Sequence, residues 1–170
     1  LKINGWYGPG LNLHRSAFCG RNFEYYSEDP LLTGLLGGSC ISGAEQNGLV
    51  VYTKHFGAHT HEDTSVQLCA WMTEQAYRET DLRAFELGIK TARRTLKYIS
   101  DVNGTVSTKT VRGSSGIMGC ATLLGTEWQG ASYGLITEIL RGEWGFQGVA
   151  TTDMALYNFK GVSDKIMRSG

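Results

Sequence analysis

The chain has 170 residues and balances 16 Lys and Arg against 16 Asp and Glu, so it is long enough for one buried core and carries no formal net charge. That balance, with the two signs interspersed, argues against long-range attraction to nucleic acid or an anionic membrane, and 41% hydrophobic with 19% charged residues excludes a disordered tail. No apolar run approaches about 20 residues, so no transmembrane helix is expected.

Taken in chain order, short apolar runs alternate with longer amphipathic stretches, the pattern of βα units around a parallel sheet. Residues 5–13 form the first strand candidate. Ser27-Glu28-Asp29-Pro30 then reads as a helix start, with Asp29 as cap and Pro30 in the first turn, predicting a helix over 30–44. A second strand is expected over 49–54, rich in β-branched residues and without strict alternation, as in strands covered on both faces. The longest helix is predicted over 73–96, with Leu82, Phe85 and Ile89 on one face. Residues 101–116 are rich in Gly, Ser, Thr and Asn and read as a loop. Strands over 117–121 and 149–152 follow, separated by a short helix over 132–141. Four strands with intervening helices make about half of an eight-stranded barrel, which takes about 250 residues. The expected fold class is therefore α/β, a partial TIM-type barrel with parallel strands, incomplete in these residues.

Catalytic groups of parallel barrels project from the carboxyl ends of strands. Three such ends carry polar residues here. The first strand leads into Gly20-Arg21-Asn22-Phe23-Glu24-Tyr25-Tyr26-Ser27-Glu28-Asp29-Pro30, the second ends in Lys54-His55-Phe56, and the fourth in Thr151-Thr152-Asp153. Lys54 and His55 at the end of a buried strand require polar partners, which sugar hydroxyls can supply; a salt-bridged strand end with a hydrogen-bonded core histidine satisfies them equally. Arg21 can bind hydroxyls or hold Glu24 or Glu28 in place. Asp153 can cap a following helix or, ionised beside a cation, attack an anomeric carbon, which requires a second, protonated carboxyl to assist the leaving group. His59, His61, Glu62 and Asp63 do not follow a strong zinc pattern and read as a helix-entry loop, so no metal is assigned. Trp6, Trp71, Trp128 and Trp144 read mainly as core or loop anchors, with Trp128 the best candidate sugar platform. Cys19, Cys40, Cys69 and Cys120 are scattered without a CxxC pair and read as reduced, partly buried side chains. No charged segment followed by an apolar one opens the chain, so no secretion signal is expected within it, and a soluble protein, cytoplasmic or secreted, is expected.

Together, Gly8-Pro9-Gly10-Leu11-Asn12-Leu13-His14-Arg15, the Gly20 to Pro30 segment, Lys54-His55-Phe56 and Leu140-Arg141-Gly142-Glu143-Trp144-Gly145-Phe146-Gln147-Gly148 before Thr152-Asp153 resemble the amino-terminal barrel domain of family 3 glycoside hydrolases. The bacterial β-glucosidase-like members are the most similar. The segments occur in family order and span nearly the whole chain, so residues 1–170 are expected to form part of that domain. The resemblance implies a retaining exo-β-glycosidase acting on terminal β-linked sugars by double displacement, with no metal or organic cofactor. It implies Asp153 as nucleophile and Arg21, Lys54 and His55 as holders of the nonreducing-end sugar. The family's general acid usually comes from a later domain, so the carbohydrate substrate is expected to need missing segments of the same polypeptide, or another copy of the chain, and the isolated fragment is expected to be nearly inactive. The sequence departs from the family at Cys120, Ala121 and Thr122, where Ser, an aromatic and Asn are common, at Met154 in place of an aromatic, and over 59–65, which replaces an Asn/Gln-Glu-Thr pattern. Those departures keep a second reading open: a noncatalytic carbohydrate-binding barrel module or a structural assembly component.

Overall fold

A computed structural model describes residues 3–59, 61–63, 65, 68–153 and 163–170. The first strand, β1 (Gly5–Gly10), stops short of the expected residue 13. Leu11 still donates its N–H to Lys54 at 2.7 Å, but at Asn12 the side chain, not the backbone, takes over the bonding to the next strand.

Helix α1 (Pro30–Gln46) starts as the sequence predicts. Asp29 accepts from the Leu32 N–H at 2.9 Å and Pro30 sits in the first turn, where a missing N–H costs nothing. The helix packs through its glycines on residues 81–91. A Cβ at Gly34 would lie 2.9 Å from the Ala84 carbonyl oxygen, so only glycine permits this approach. The opposite face leaves Leu31, Leu32, Leu35 and Leu36 exposed. Strand β2 (Val50–Phe56) follows, then the two-residue β3 (Cys69–Ala70).

The single long helix predicted over 73–96 is instead two helices and a strand. Helix α2 (Glu74–Glu79) ends at Thr80, whose backbone leaves the helical region and whose hydroxyl donates to the Ala76 carbonyl at 2.6 Å. Helix α3 (Asp81–Thr91) begins with buried Asp81, held by Arg15 at 2.9 Å. Leu82, Phe85 and Ile89 form its buried face as predicted. From Arg93 the chain extends as β4 (Arg93–Ile99), paired antiparallel with β5 (Val106–Arg112) from Arg93–Arg112 to Ile99–Val106. The expected loop over 101–116 thus holds strand β5 and is not a loop throughout. Its turn uses Asn103-Gly104, with Gly104 at φ 82° and Asp101 accepting from the Asn103 N–H at 2.8 Å.

Strands β6 (Gly116–Gly119), β7 (Leu123–Leu124) and β8 (Glu127–Trp128) come next, followed by a π-type helix, Gly134–Glu143. Strand β9 (Val149–Thr151) and helix α4 (Ser163–Ser169) complete the described chain.

The central sheet has the order β1-β2-β6-β9 with every pair parallel, the architecture of a partial TIM-type barrel. Gly10 lies opposite Lys54, Phe56 opposite Gly119, and Met118 opposite Thr151. The core fills the space between this sheet and the helices. Phe56 meets Phe85 and Trp144 edge-on, with centroids 5.4 and 5.9 Å apart, among Leu11, Leu82, Ile117 and Leu140.

Candidate active site

Because all four strands run the same way, their carboxyl ends share one edge. Lys54 and His55 stand there on β2, Cys120 follows β6, and Asp153 follows β9. The site begins with the backbone of β2. Asn12 donates from Nδ2 to the carbonyls of His55 and Gly57, each at 3.0 Å, and accepts the His55 N–H at 2.8 Å through Oδ1. The Lys54–His55 peptide is cis. His55 is buried, with Nδ1 3.3 Å from both the Tyr25 hydroxyl and Asn12 Oδ1. Its ring stacks on that of His59, centroids 4.8 Å apart at 22°. Burial, then the charges of His59, Arg21 and Lys54, push the His55 imidazole down to about 2, so it is neutral.

Two cations converge on one carboxylate beside it. Lys54 Nζ lies 3.1 Å from Glu24, and Arg21 hydrogen-bonds the same residue. Burial alone would raise the Glu24 carboxyl, but its bonds to Arg21 and Lys54 outweigh that and hold it below the usual range. Arg21 also reaches Glu62 at 3.6 Å, and Glu62 accepts from His59 Nε2 at 2.9 Å. Of the two partners expected for Arg21, Glu24 is therefore the one it meets. A short turn, Asn22–Glu24, sets the spacing that lets Arg21 and Glu24 face each other.

Asp153 stands two strands from His55, about 10 Å across the sheet by ordinary strand spacing. Between them lies Cys120, whose buried thiol is pushed up to about 12, chiefly by burial and further by the charge of Asp153. The carboxylate and the thiol are thus near neighbours. Cys120 Sγ lies 3.1 Å from the Thr122 hydroxyl, which donates to the Ala58 carbonyl at 2.6 Å. Gln129 ties the same loops together, accepting from the Ala58 N–H at 2.9 Å and the Tyr77 hydroxyl at 2.6 Å and donating to Thr122 Oγ1 at 2.8 Å. Met154 lies outside the described residues.

The structure corrects two expectations. Trp128 is buried, with Nε1 donating to the Cys120 carbonyl at 3.0 Å, so it anchors the end of β6 and offers no face to a sugar. Trp71 is the exposed indole, at 75%. His59, Glu62 and Asp63 do not lead straight into a helix, since α2 begins only at Glu74; His59 and Glu62 instead join the polar cluster. The four cysteines carry thiols, with Cys19 and Cys120 buried. Among the described residues no group of three His, Cys, Asp or Glu is placed to hold a metal, and no helix is long and apolar enough to cross a membrane. Sequence reasoning did not single out Glu24 as the hub of the two cations, nor Asn12 and Tyr25 as partners of His55. Only the strand geometry brings those residues together.

Residues 1–168 match the model of the glycosyl hydrolase family 3 N terminal domain. The chain is 36% identical over 154 residues to beta-glucosidase A of Butyrivibrio fibrisolvens, covering 89% of this chain and 16% of that protein. It is 34% identical over 154 residues to a beta-glucosidase of Ruminococcus albus, covering 89% and 14%. The structure of a GH3 beta-glucosidase from Bifidobacterium adolescentis superposes with a TM-score of 0.81 at 27% identity, over 99% of this chain and 22% of that one. The chain thus spans less than a quarter of the length of these relatives, and it belongs to glycosyl hydrolase family 3, through the N-terminal domain of that family.

Proposed function

We propose that the chain supplies the nucleophile and the sugar-holding residues of a retaining exo-β-glycosidase acting on terminal β-linked sugars, the β-glucosidase class named among its relatives. The reading rests above all on the parallel order β1-β2-β6-β9, which sets Lys54-His55 and Asp153 along one edge. The carboxylate of Asp153 attacks the anomeric carbon as the glycosidic bond breaks, and the leaving oxygen takes a proton from a carboxylic acid outside these residues. Water then hydrolyses the glycosyl ester, returning the Asp153 carboxylate. His55, neutral and anchored by Asn12 and Tyr25, has its remaining ring nitrogen to offer a sugar hydroxyl. Lys54 and Arg21, bridged by Glu24, donate to neighbouring hydroxyls.

One observation favours the alternative of a noncatalytic module. Cys120 and Thr122 direct their polar atoms to each other and to Ala58, within the protein. A single assay separates the parts of the proposal. With an aryl β-glucoside, residues 1–170 alone are expected to show little turnover, because no acid protonates the leaving group. Robust hydrolysis by this chain, abolished by Asp153→Asn, would overturn the placement of the acid outside it.

A further inference from the structure

At the opposite end of the sheet, where β6 and β9 begin, the base of the β4–β5 hairpin and the 145–149 turn enclose a cleft of about 800 Å³. A volume of that order accommodates a small organic molecule. The charged side chains that line it are Arg94, Lys109 and Arg112, all cationic. Arg94 is paired with the fully buried Glu45, 3.7 Å from its Nε, which is otherwise engaged by the N–H and hydroxyl of Ser115. Arg112 is fixed in place by a 2.9 Å bond to the Trp144 carbonyl.

A second feature of the same wall is independent of charge. Ser114 lies between Arg112 and the start of β6 with φ 66°, the sole non-glycine residue with positive φ among those described. It is 5% exposed, and its hydroxyl is buried without a hydrogen-bond partner among the described residues. A serine in that backbone region costs energy that glycine would not, and an orphaned buried hydroxyl costs more. The second cost is not repaid by a hydrogen bond among the described residues. An acceptor seated in the cleft would repay the second, and three cations select an anionic one.

We propose that this cleft binds a small molecule bearing a phosphate or carboxylate group, with Arg94, Lys109 and Arg112 supplying charge and the Ser114 hydroxyl one hydrogen bond. The site lies across the sheet from Lys54, His55 and Asp153, so it stands apart from the proposed sugar site and does not depend on it.

Calorimetric titration of the full polypeptide carrying these residues, with inorganic phosphate and separately with citrate at low ionic strength, tests the proposal. Saturable binding of at least one is expected, weakened about tenfold by Lys109→Ala. Phosphate alone assigns a phosphate ester, citrate alone a carboxylate, and both the shared oxyanion chemistry. Ser114→Gly keeps the backbone conformation and removes the hydroxyl, so it is expected to weaken binding while thermal stability holds or rises. Absence of saturable binding of either anion, or binding indifferent to both variants, overturns the proposal.

Discussion

Asn12 holds the backbone of His55 from both sides, accepting its N–H at 2.8 Å and donating to its carbonyl at 3.0 Å. The same carboxamide reaches the Gly57 carbonyl at 3.0 Å, so one side chain from the end of β1 closes three buried groups at the end of β2. Asn12→Ala is therefore expected to destabilise the domain by about 3 kcal/mol, the cost of leaving buried groups unsatisfied. Urea unfolding measures it, and a loss below about 1 kcal/mol would mean that water replaces the side chain.

The His55 imidazole makes a separate prediction about pH. Its folded value is depressed to about 2, first by burial, against an ordinary value of 6.5. Between those limits the unfolded state binds a proton that the folded state refuses, so stability is fully present above 6.5 and falls as pH is lowered toward 2. The slope from this residue approaches about 1.4 kcal/mol per pH unit. Glu24 adds a loss in the same direction, but only below its ordinary 4.5, as pH falls toward its depressed folded value. Unfolding measured between pH 6.5 and 4.5 thus reads the histidine above the range in which Glu24 contributes. His55→Gln is expected to flatten the profile there, and an unchanged slope would show that another group carries it.

Cys120 is expected to resist alkylation at pH 8, because burial and the charge of Asp153 keep its thiol protonated, whereas exposed Cys69 reacts. Peptide mapping after iodoacetamide treatment of the folded protein reads both sites. Rapid modification of Cys120 would contradict the packing at the end of β6.

The leucine face of α1 predicts association. Leu31, Leu32, Leu35 and Leu36 form an exposed apolar stripe, and β1 and β9 are each paired on one side only within the described sheet. Residues 1–170 by themselves are expected to self-associate in sedimentation experiments, with Leu32→Glu and Leu35→Glu together reducing the effect. A stable, well-folded monomer at high concentration would count against this.

Much of this architecture was legible in the residues. Asp29-Pro30 marked the start of α1, and the spacing of Leu82, Phe85 and Ile89 marked the buried face of α3, because capping and helical periodicity are local. The β4–β5 hairpin was hidden by composition. Its polar Ser and Thr residues read as loop, although Asn103-Gly104 between β-branched residues is a hairpin signal. The break at Thr80 was not visible, since the arginine that holds Asp81 at the start of α3, Arg15, comes from 66 residues away. The positions of Lys54, His55 and Asp153 at or just past strand ends, and of Arg21 in the segment after the first strand, drew attention to them, and the family resemblance implied their roles. Glu24 as the electrostatic hub was not legible, because the pairing of β1 with β2 alone brings its turn to Lys54.

The role of Asp153 is tested most directly by trapping. With a 2-deoxy-2-fluoro β-glucoside that carries a good leaving group, a nucleophilic carboxylate forms a glycosyl ester that water cleaves slowly, so mass spectrometry of the digested full-length protein identifies the attacked residue. A sugar adduct on Asp153, absent from Asp153→Asn, is expected. An adduct on another carboxylate, or sugar binding with no adduct at all, would contradict it.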